Sequence, residues 1–204
     1  MRKGKKETLY KAAFKLFITK QFDGVSLADI EVESGLTKGA VYYYASNKKE
    51  LFRNVIEYYV IEKQNIEKKV NVNKANNLKN FIDLYIEGIC KTISSFQFII
   101  DDLSYTKSTK AYISLILQIA QYFPDLNNKF SIIRNNEIGI WCAFLQKAII
   151  CHEIREDIDI LSTAKQFINI FYGQTFIDAL SEGLNINVLR QQMYNLYNLL
   201  KKSP

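Results

Sequence analysis

Along almost the whole chain apolar residues return at intervals of three and four. The pattern predicts helices throughout and no strand, because one helix face recurs every 3.6 residues or so whereas a strand face recurs every two. Leu9, Ala12, Ala13, Leu16 and Phe17 mark a first helix from about residue 7, preceded by a frayed basic tail. Short helices follow over 27–33 and 38–45, then a long one from 48 to about 70 with Phe52, Val55, Ile56, Tyr59 and Val60 on one side. After the polar break at 71–77, Leu78, Phe81, Ile82, Tyr85, Ile86, Ile89 and Ile93 describe an amphipathic helix reaching about residue 98. Another spans 107–123, since the residue before a proline disfavours helical conformation and Pro124 follows. The next begins at Asp125 and carries Phe130, Ile133, Ile138, Trp141, Leu145 and Ala148. Two closing helices, 160–182 and 187–201, are separated by Gly183 as a helix stop.

The stretch 26–51, SLADIEVESGLTKGAVYYYASNKKEL, holds the densest local chemistry. Ser26 stands where a helix N-cap belongs, and Asp29 adds a carboxylate near the positive helix end. Gly35 takes positive φ cheaply and turns the chain, with Leu36 as an apolar plug for the corner. Thr37 caps the next helix, which has no acid and shows Lys38, Gly39, Ala40 and three tyrosines. Ser46 and Asn47 offer capping chemistry to the helix after it. Two short helices joined by a tight Gly-containing turn make a helix-turn-helix, whose second helix is shaped for a DNA major groove.

On these residues the chain resembles the DNA-binding head of the TetR family of bacterial transcriptional regulators. The matching positions are Ala12, Ala13, Leu16, Phe17, Phe22, Gly24, Ser26, Ile30, Gly35, Thr37, Lys38, Gly39, Tyr42, Tyr43, Lys48, Glu50, Leu51 and Phe52, in order and spacing over about 45 residues. Glu31, Tyr44 and Ala45 depart from the family's usual Ala, His and Phe, and Ala45 implies a smaller local core filled by a tyrosine. The resemblance implies an all-α fold: a three-helix DNA-binding head over residues 1–46, then a six-helix ligand-binding and dimerisation body over residues 47–204. It also implies DNA contact by Ser26, Thr37, Lys38, Gly39, Tyr42, Tyr43, Tyr44 and Lys48. Its partners would be a palindromic double-stranded operator, a small-molecule effector and a second copy of the chain.

Charge agrees with a polyanion partner. Residues 1–53 hold 11 Lys/Arg against 6 Asp/Glu, so +5 of the net charge of +6 lies in the first quarter of 204 residues. Lys3, Lys5 and Lys6 add cations that a phosphate backbone or plain solvent would accept equally well. Cys90, Cys142 and Cys151 are odd in number, lack CxxC spacing and are expected to be buried small hydrophobes in a reducing cytosol. No apolar run suits a membrane helix and the start lacks a signal-peptide core, which points to the cytoplasm.

The body carries less specific signals. Phe167 and Phe171 in one closing helix, with Leu189, Met193, Leu196 and Leu200 in the other, form a packing seam, expected to be the dimer interface by the family resemblance. Phe96, Tyr105, Tyr112, Trp141, Phe144 and Tyr172 are candidate walls of a ligand cavity, although Trp141, a lone Trp at helical spacing, reads as plain core ahead of a wall. With Asp101 and Asp102 as the nearby charges, such a cavity favours an apolar or aromatic ligand, cationic ones included. The helix from 48 to about 70 is the one element expected to touch both regions and so to carry a signal. Asp101 and Asp102 read as a helix cap and His152 as a surface residue. With no phosphate loop, metal-ligand cluster or nucleophile-base spacing, neither catalytic residues nor a metal or cofactor is expected. Three functions remain open: an effector-released repressor, an architectural DNA-binding protein without effector, and, least favoured, a small-molecule enzyme.

Overall fold

The computed structural model describes residues 2–62, 66, 70, 72–99 and 105–202, the side chains of residues 2, 3, 98, 99 and 105–107 excepted. Nine α-helices run through the described residues: α1 (Arg2–Lys20), α2 (Leu27–Ser34), α3 (Lys38–Tyr44), α4 (Lys48–Ile56), α5 (Leu78–Ile99), α6 (Tyr105–Tyr122), α7 (Asn127–Ile150), α8 (Ile160–Ala179) and α9 (Ile186–Leu200). Among these residues β-pairing is confined to one isolated bridge between Ile154 and Lys201.

The helix ends follow local chemistry. α1 starts at Arg2 rather than near residue 7: Arg2 to Lys6 are mostly good helix formers, and Gly4 costs a helix interior only about 1 kcal/mol. α4 continues as a π-helical turn over Glu57–Ile61. Residues 63–65 and 67–69 of the expected long helix, and Asp101 and Asp102, lie outside the described residues. A 3₁₀ turn at Pro124–Leu126 precedes α7, because proline fits a first helical position but not an interior. α8 ends at Ala179, short of residue 182, and Gly183 (φ 83°) completes its stop by donating its N–H to the Asp178 carbonyl at 2.9 Å.

One apolar core runs from the head into the body. Leu9, Phe14, Phe17, Ile30, Val41, Leu51 and Phe52 are buried with Phe96, Leu115, Ile119, Phe123 and Leu126. Phe22 meets Phe52 and Phe123 edge-on at 5.1 and 5.5 Å, and Phe52 stacks on Phe123 at 4.7 Å. Arg53 pairs with Asp125, Lys129 with Glu57, and the Tyr122 hydroxyl with Asp23. α1 therefore packs directly on α6, while α4 meets the turn after it, and the sequence expectation that only the helix from residue 48 bridges head and body is corrected.

A second core joins α5, α7, α8 and α9. Trp141 lies at its centre, fully buried, stacked on Phe167 at 4.5 Å and met edge-on by Phe81 and Tyr85. Buried Glu137 accepts the Tyr85 hydroxyl at 2.8 Å, and burial, then the Glu137 charge, pushes that phenol well above its usual pKa. Glu153 caps α5 by accepting the N–H groups of Leu78 and Lys79 at 2.9 and 3.0 Å.

Candidate nucleic-acid interface and body cavity

The turn between α2 and α3 is built from short-range hydrogen bonds. The Ser26 hydroxyl oxygen accepts the Asp29 N–H at 3.1 Å, while an Asp29 carboxylate oxygen accepts the Ser26 N–H at 2.8 Å and its O–H at 2.6 Å, a reciprocal capping box. These bonds to Ser26, side chain first, hold the Asp29 carboxyl below its usual pKa. Gly35 has φ 64°, and an added Cβ there would touch nothing within 4 Å, so its backbone conformation rather than crowding asks for glycine. Thr37 caps α3 by accepting the Ala40 N–H, and Asn47 caps α4 by accepting the Glu50 N–H.

α3 turns Val41 into the core and shows Lys38, Gly39, Tyr42 and Tyr43 outward, with Ala40 and Tyr44 half-buried. The Lys38 ammonium lies 5.8 Å from the Tyr42 ring centroid, and Tyr43 meets Tyr44 edge-on at 5.0 Å. Nothing lies within 4 Å of a Cβ built at Gly39, so no part of this chain requires glycine there. Ala45 is buried in the head core, and half-buried Tyr44 packs against the same core.

Lys48, expected to contact DNA, is also engaged within the fold. Its ammonium donates to the Phe22 carbonyl at 2.9 Å and sits 4.3 Å over the Phe22 ring, because Phe22, just past the end of α1, faces the start of α4. Of the cations flanking α3, Lys38 and Lys49 are exposed.

In the body an apolar cavity of about 40 Å³ lies among α5, α6 and α8, lined by Ile89, Thr92, Ile93, Phe96, Ser108, Thr109, Tyr112, Phe171, Thr175 and Leu184. Phe96 and Tyr112 were expected there. Trp141 is not a wall but core, and Phe144 stacks on Phe81 at 4.1 Å, away from this lining. Tyr172 turns an exposed ring outward while its hydroxyl reaches Glu137, and burial of that end raises its pKa. The side chain of Tyr105 lies outside the described residues. Sequence reasoning missed the hydroxyl residues of the wall, and it placed Phe171 at a subunit interface. Among the described residues no lining side chain is charged, and Asp101 and Asp102, on which the expectation of cationic ligands rested, lie outside them.

The expected dimer seam also needs correction. Phe167, Leu189 and Met193 are fully buried and Leu200 nearly so within one protomer, while Phe171 and Leu196 are half-buried against the same core. The exposed apolar surface of α8 lies on its other side: Tyr172, Phe176, Ile177 and Leu180, the last 73% exposed. His152 is exposed in a left-handed turn (φ 56°) beside Lys202. No metal-holding group of His, Cys, Asp or Glu occurs among the described residues, and no helix among them is long and apolar enough to cross a membrane.

A capped helix-turn-helix on a basic head, joined to a helical body, is the architecture of DNA-binding transcriptional regulators. Residues 9–55 match the family model for bacterial regulatory proteins of the tetR family. The head of the chain, over those residues, is therefore of the TetR family's DNA-binding type. A segment of 56 residues is 36% identical to the uncharacterised HTH-type transcriptional regulator YerO of Bacillus subtilis strain 168; it is 28% of this chain and 19% of that protein. The whole fold is similar to a TetR-family transcriptional regulator from Cytophaga hutchinsonii, at TM-score 0.70, 18% identity, and coverage of 97% and 95% of the two chains. It is also similar to the flavonoid-responsive regulator FrrA (TM-score 0.60, 20% identity, 96% and 94% covered) and to reduced NemR of E. coli (TM-score 0.64, 14% identity, 98% of each).

Proposed function

We propose that this chain is a homodimeric repressor that holds a palindromic operator through two copies of α3 and lets go when a small neutral ligand enters the body. The observation that carries the reading is the acid-free outward face of α3, seated on a head that holds most of the net positive charge. Residues 1–46 are its DNA-binding part and residues 47–204 its ligand-binding and dimerisation part. Lys38 reaches a base edge or phosphate, Thr37 and the tyrosine hydroxyls reach phosphate oxygens, and bare Gly39 lets the helix approach. Two heads paired through α8 and α9 would address half-sites about one DNA turn, roughly 34 Å, apart.

The ligand is neutral and apolar, because uncharged aliphatic and aromatic groups line the cavity; among the structural neighbours, FrrA is by name responsive to flavonoids. The cavity volume favours a second reading. Ligand pockets commonly hold about 300 Å³ or more, and about 40 Å³ is far below that, as suits a dimerisation scaffold without effector.

Titrating promoter duplexes with the chain tests the DNA reading. Gly39→Ala adds a methyl that meets nothing in the protein, so its thermal stability should hold while operator binding weakens; unchanged specific binding would remove α3 from the interface. Adding neutral aromatic compounds to the bound complex separates the two readings, since release supports the effector and indifference across a library supports the scaffold.

A further inference from the structure

We infer that the head selects its half-site chiefly through thymine methyl groups, with Lys38 as its single guanine-reading side chain. The inference rests on the DNA-binding reading and concerns which bases that same surface takes. In the major groove guanine is read bidentately by Arg or Lys and adenine by Asn or Gln, whereas thymine alone presents a methyl group. α3 contains no Arg, Asn or Gln. Its one side-chain nitrogen donor is Lys38, whose ammonium lies near the Tyr42 ring. What the helix otherwise turns outward is the Ala40 methyl, half-buried, and the exposed rings of Tyr42 and Tyr43.

A side chain as short as Ala40 can touch a base methyl only if the helix axis comes close to the groove floor. Gly39 permits that approach, since the helix surface there is bare backbone with nothing of this chain within 4 Å of where a Cβ would stand. Val41 is fully buried and does not compete for the groove. On α2, exposed Ala28 and Val32 bring further apolar groups and no donor. Tyrosine hydroxyls bond phosphate oxygens and so set register, which leaves apolar contact as the main source of base discrimination.

The test is selection of duplexes from a random pool by the full chain, followed by replacement of single thymines in the selected site by uracil. Uracil keeps every hydrogen-bonding group of thymine and removes only the methyl. A·T pairs should be specified at most contacted positions, with at most one G·C per half-site. Each contacted thymine replaced should weaken binding about fourfold, the factor for exposing one methyl-sized group, with the salt dependence unchanged. Ala40→Gly should abolish the uracil effect at one position in each half-site, and Tyr42→Phe should preserve it. Sites specified mainly by G·C, or binding indifferent to uracil, overturn this inference and leave the DNA-binding reading standing. A chain that enriches no sequence overturns both.

Discussion

The side-chain carbonyl of Gln118 on α6 accepts the backbone N–H of Phe22 at 2.6 Å, and both residues are buried. Phe22 follows the end of α1, where the chain has left the helix and its N–H has no helical acceptor, so an amide from the body supplies one. The Gln118 side-chain nitrogen is in turn held by the Ser114 carbonyl and hydroxyl, which fixes which way the amide points. Replacing Gln118 with Leu keeps the volume and strands the Phe22 N–H. We expect a loss of about 1–3 kcal/mol of stability, read by urea denaturation; an unchanged midpoint would mean that water or another acceptor satisfies Phe22.

Lys48 should behave as a structural residue in the free protein. A charged donor to a carbonyl contributes about 1.5 kcal/mol or more, so Lys48→Ala should lower stability by about 1–2 kcal/mol. Lys38→Ala should leave stability intact and reduce the salt dependence of DNA binding by roughly one unit. If Lys48→Ala instead leaves the melting temperature alone and flattens the salt slope, its bond to Phe22 breaks on DNA.

What could be read in advance follows from range. Ser26, Asp29, Gly35 and Thr37 act on neighbours within four residues, so their spacing alone fixes the capped turn and the α2–α3 corner. Lys48 and Phe22 stand 26 positions apart, and no local pattern announces their bond. The apolar arcs of α8 and α9 are plain in the sequence, but periodicity does not say whether an arc meets its own protomer or another. That ambiguity sent Phe167, Leu189 and Met193 to the wrong side. Thr92, Thr109 and Thr175 converge on the cavity from three helices, where short hydroxyl side chains resemble ordinary surface positions until the helices pack.

The capping box gives a pH dependence with a definite sign. Asp29 titrates below its ordinary value of 3.8 in the folded head because Ser26 donates to its carboxylate. A carboxyl whose folded pKa is depressed contributes stability above the unfolded value, and that contribution is lost as pH falls through the folded one. The native head should therefore lose stability on acidification below about pH 4 more steeply than Ser26→Ala, which retains only the backbone donor. Parallel acid-unfolding curves for the two proteins would show that Ser26 does not hold the ionised form.

The α8 surface distinguishes dimer contact from core by the sign of two otherwise similar changes. Phe176 is half exposed in the protomer, so Phe176→Glu should leave a folded chain of normal helicity that sediments as a monomer. Phe167 is fully buried against Trp141, so Phe167→Glu should unfold the chain by burying an unpaired charge. A Phe176→Glu protein that remains dimeric would place the subunit interface off this face of α8.

A row of rings joins the cavity to the head, and it would carry the signal of the proposed effector. Tyr112 and Phe96 line the cavity and stack at 5.5 Å; Phe96 stacks at 5.7 Å on Phe14 of α1; Phe14 lies 4.8 Å from Tyr59 in the π-helical turn after α4. A ligand large enough to need more than the present volume must displace Phe96 or Tyr112, and either movement is passed to both helices that hold the head. Such a ligand shifts the heads only as far as it prefers one arrangement over the other. The usual size of that coupling is about 1–3 kcal/mol, or roughly 5- to 150-fold in operator affinity, and operator DNA must weaken ligand binding by the same factor. Phe14→Leu preserves apolar contact but removes the stacked ring, so it should leave each binding affinity nearly unchanged while shrinking the factor between them. Calorimetry of ligand binding with and without operator, for the native chain and Phe14→Leu, reads this directly; an equal coupling factor in both proteins would take Phe14 out of the route.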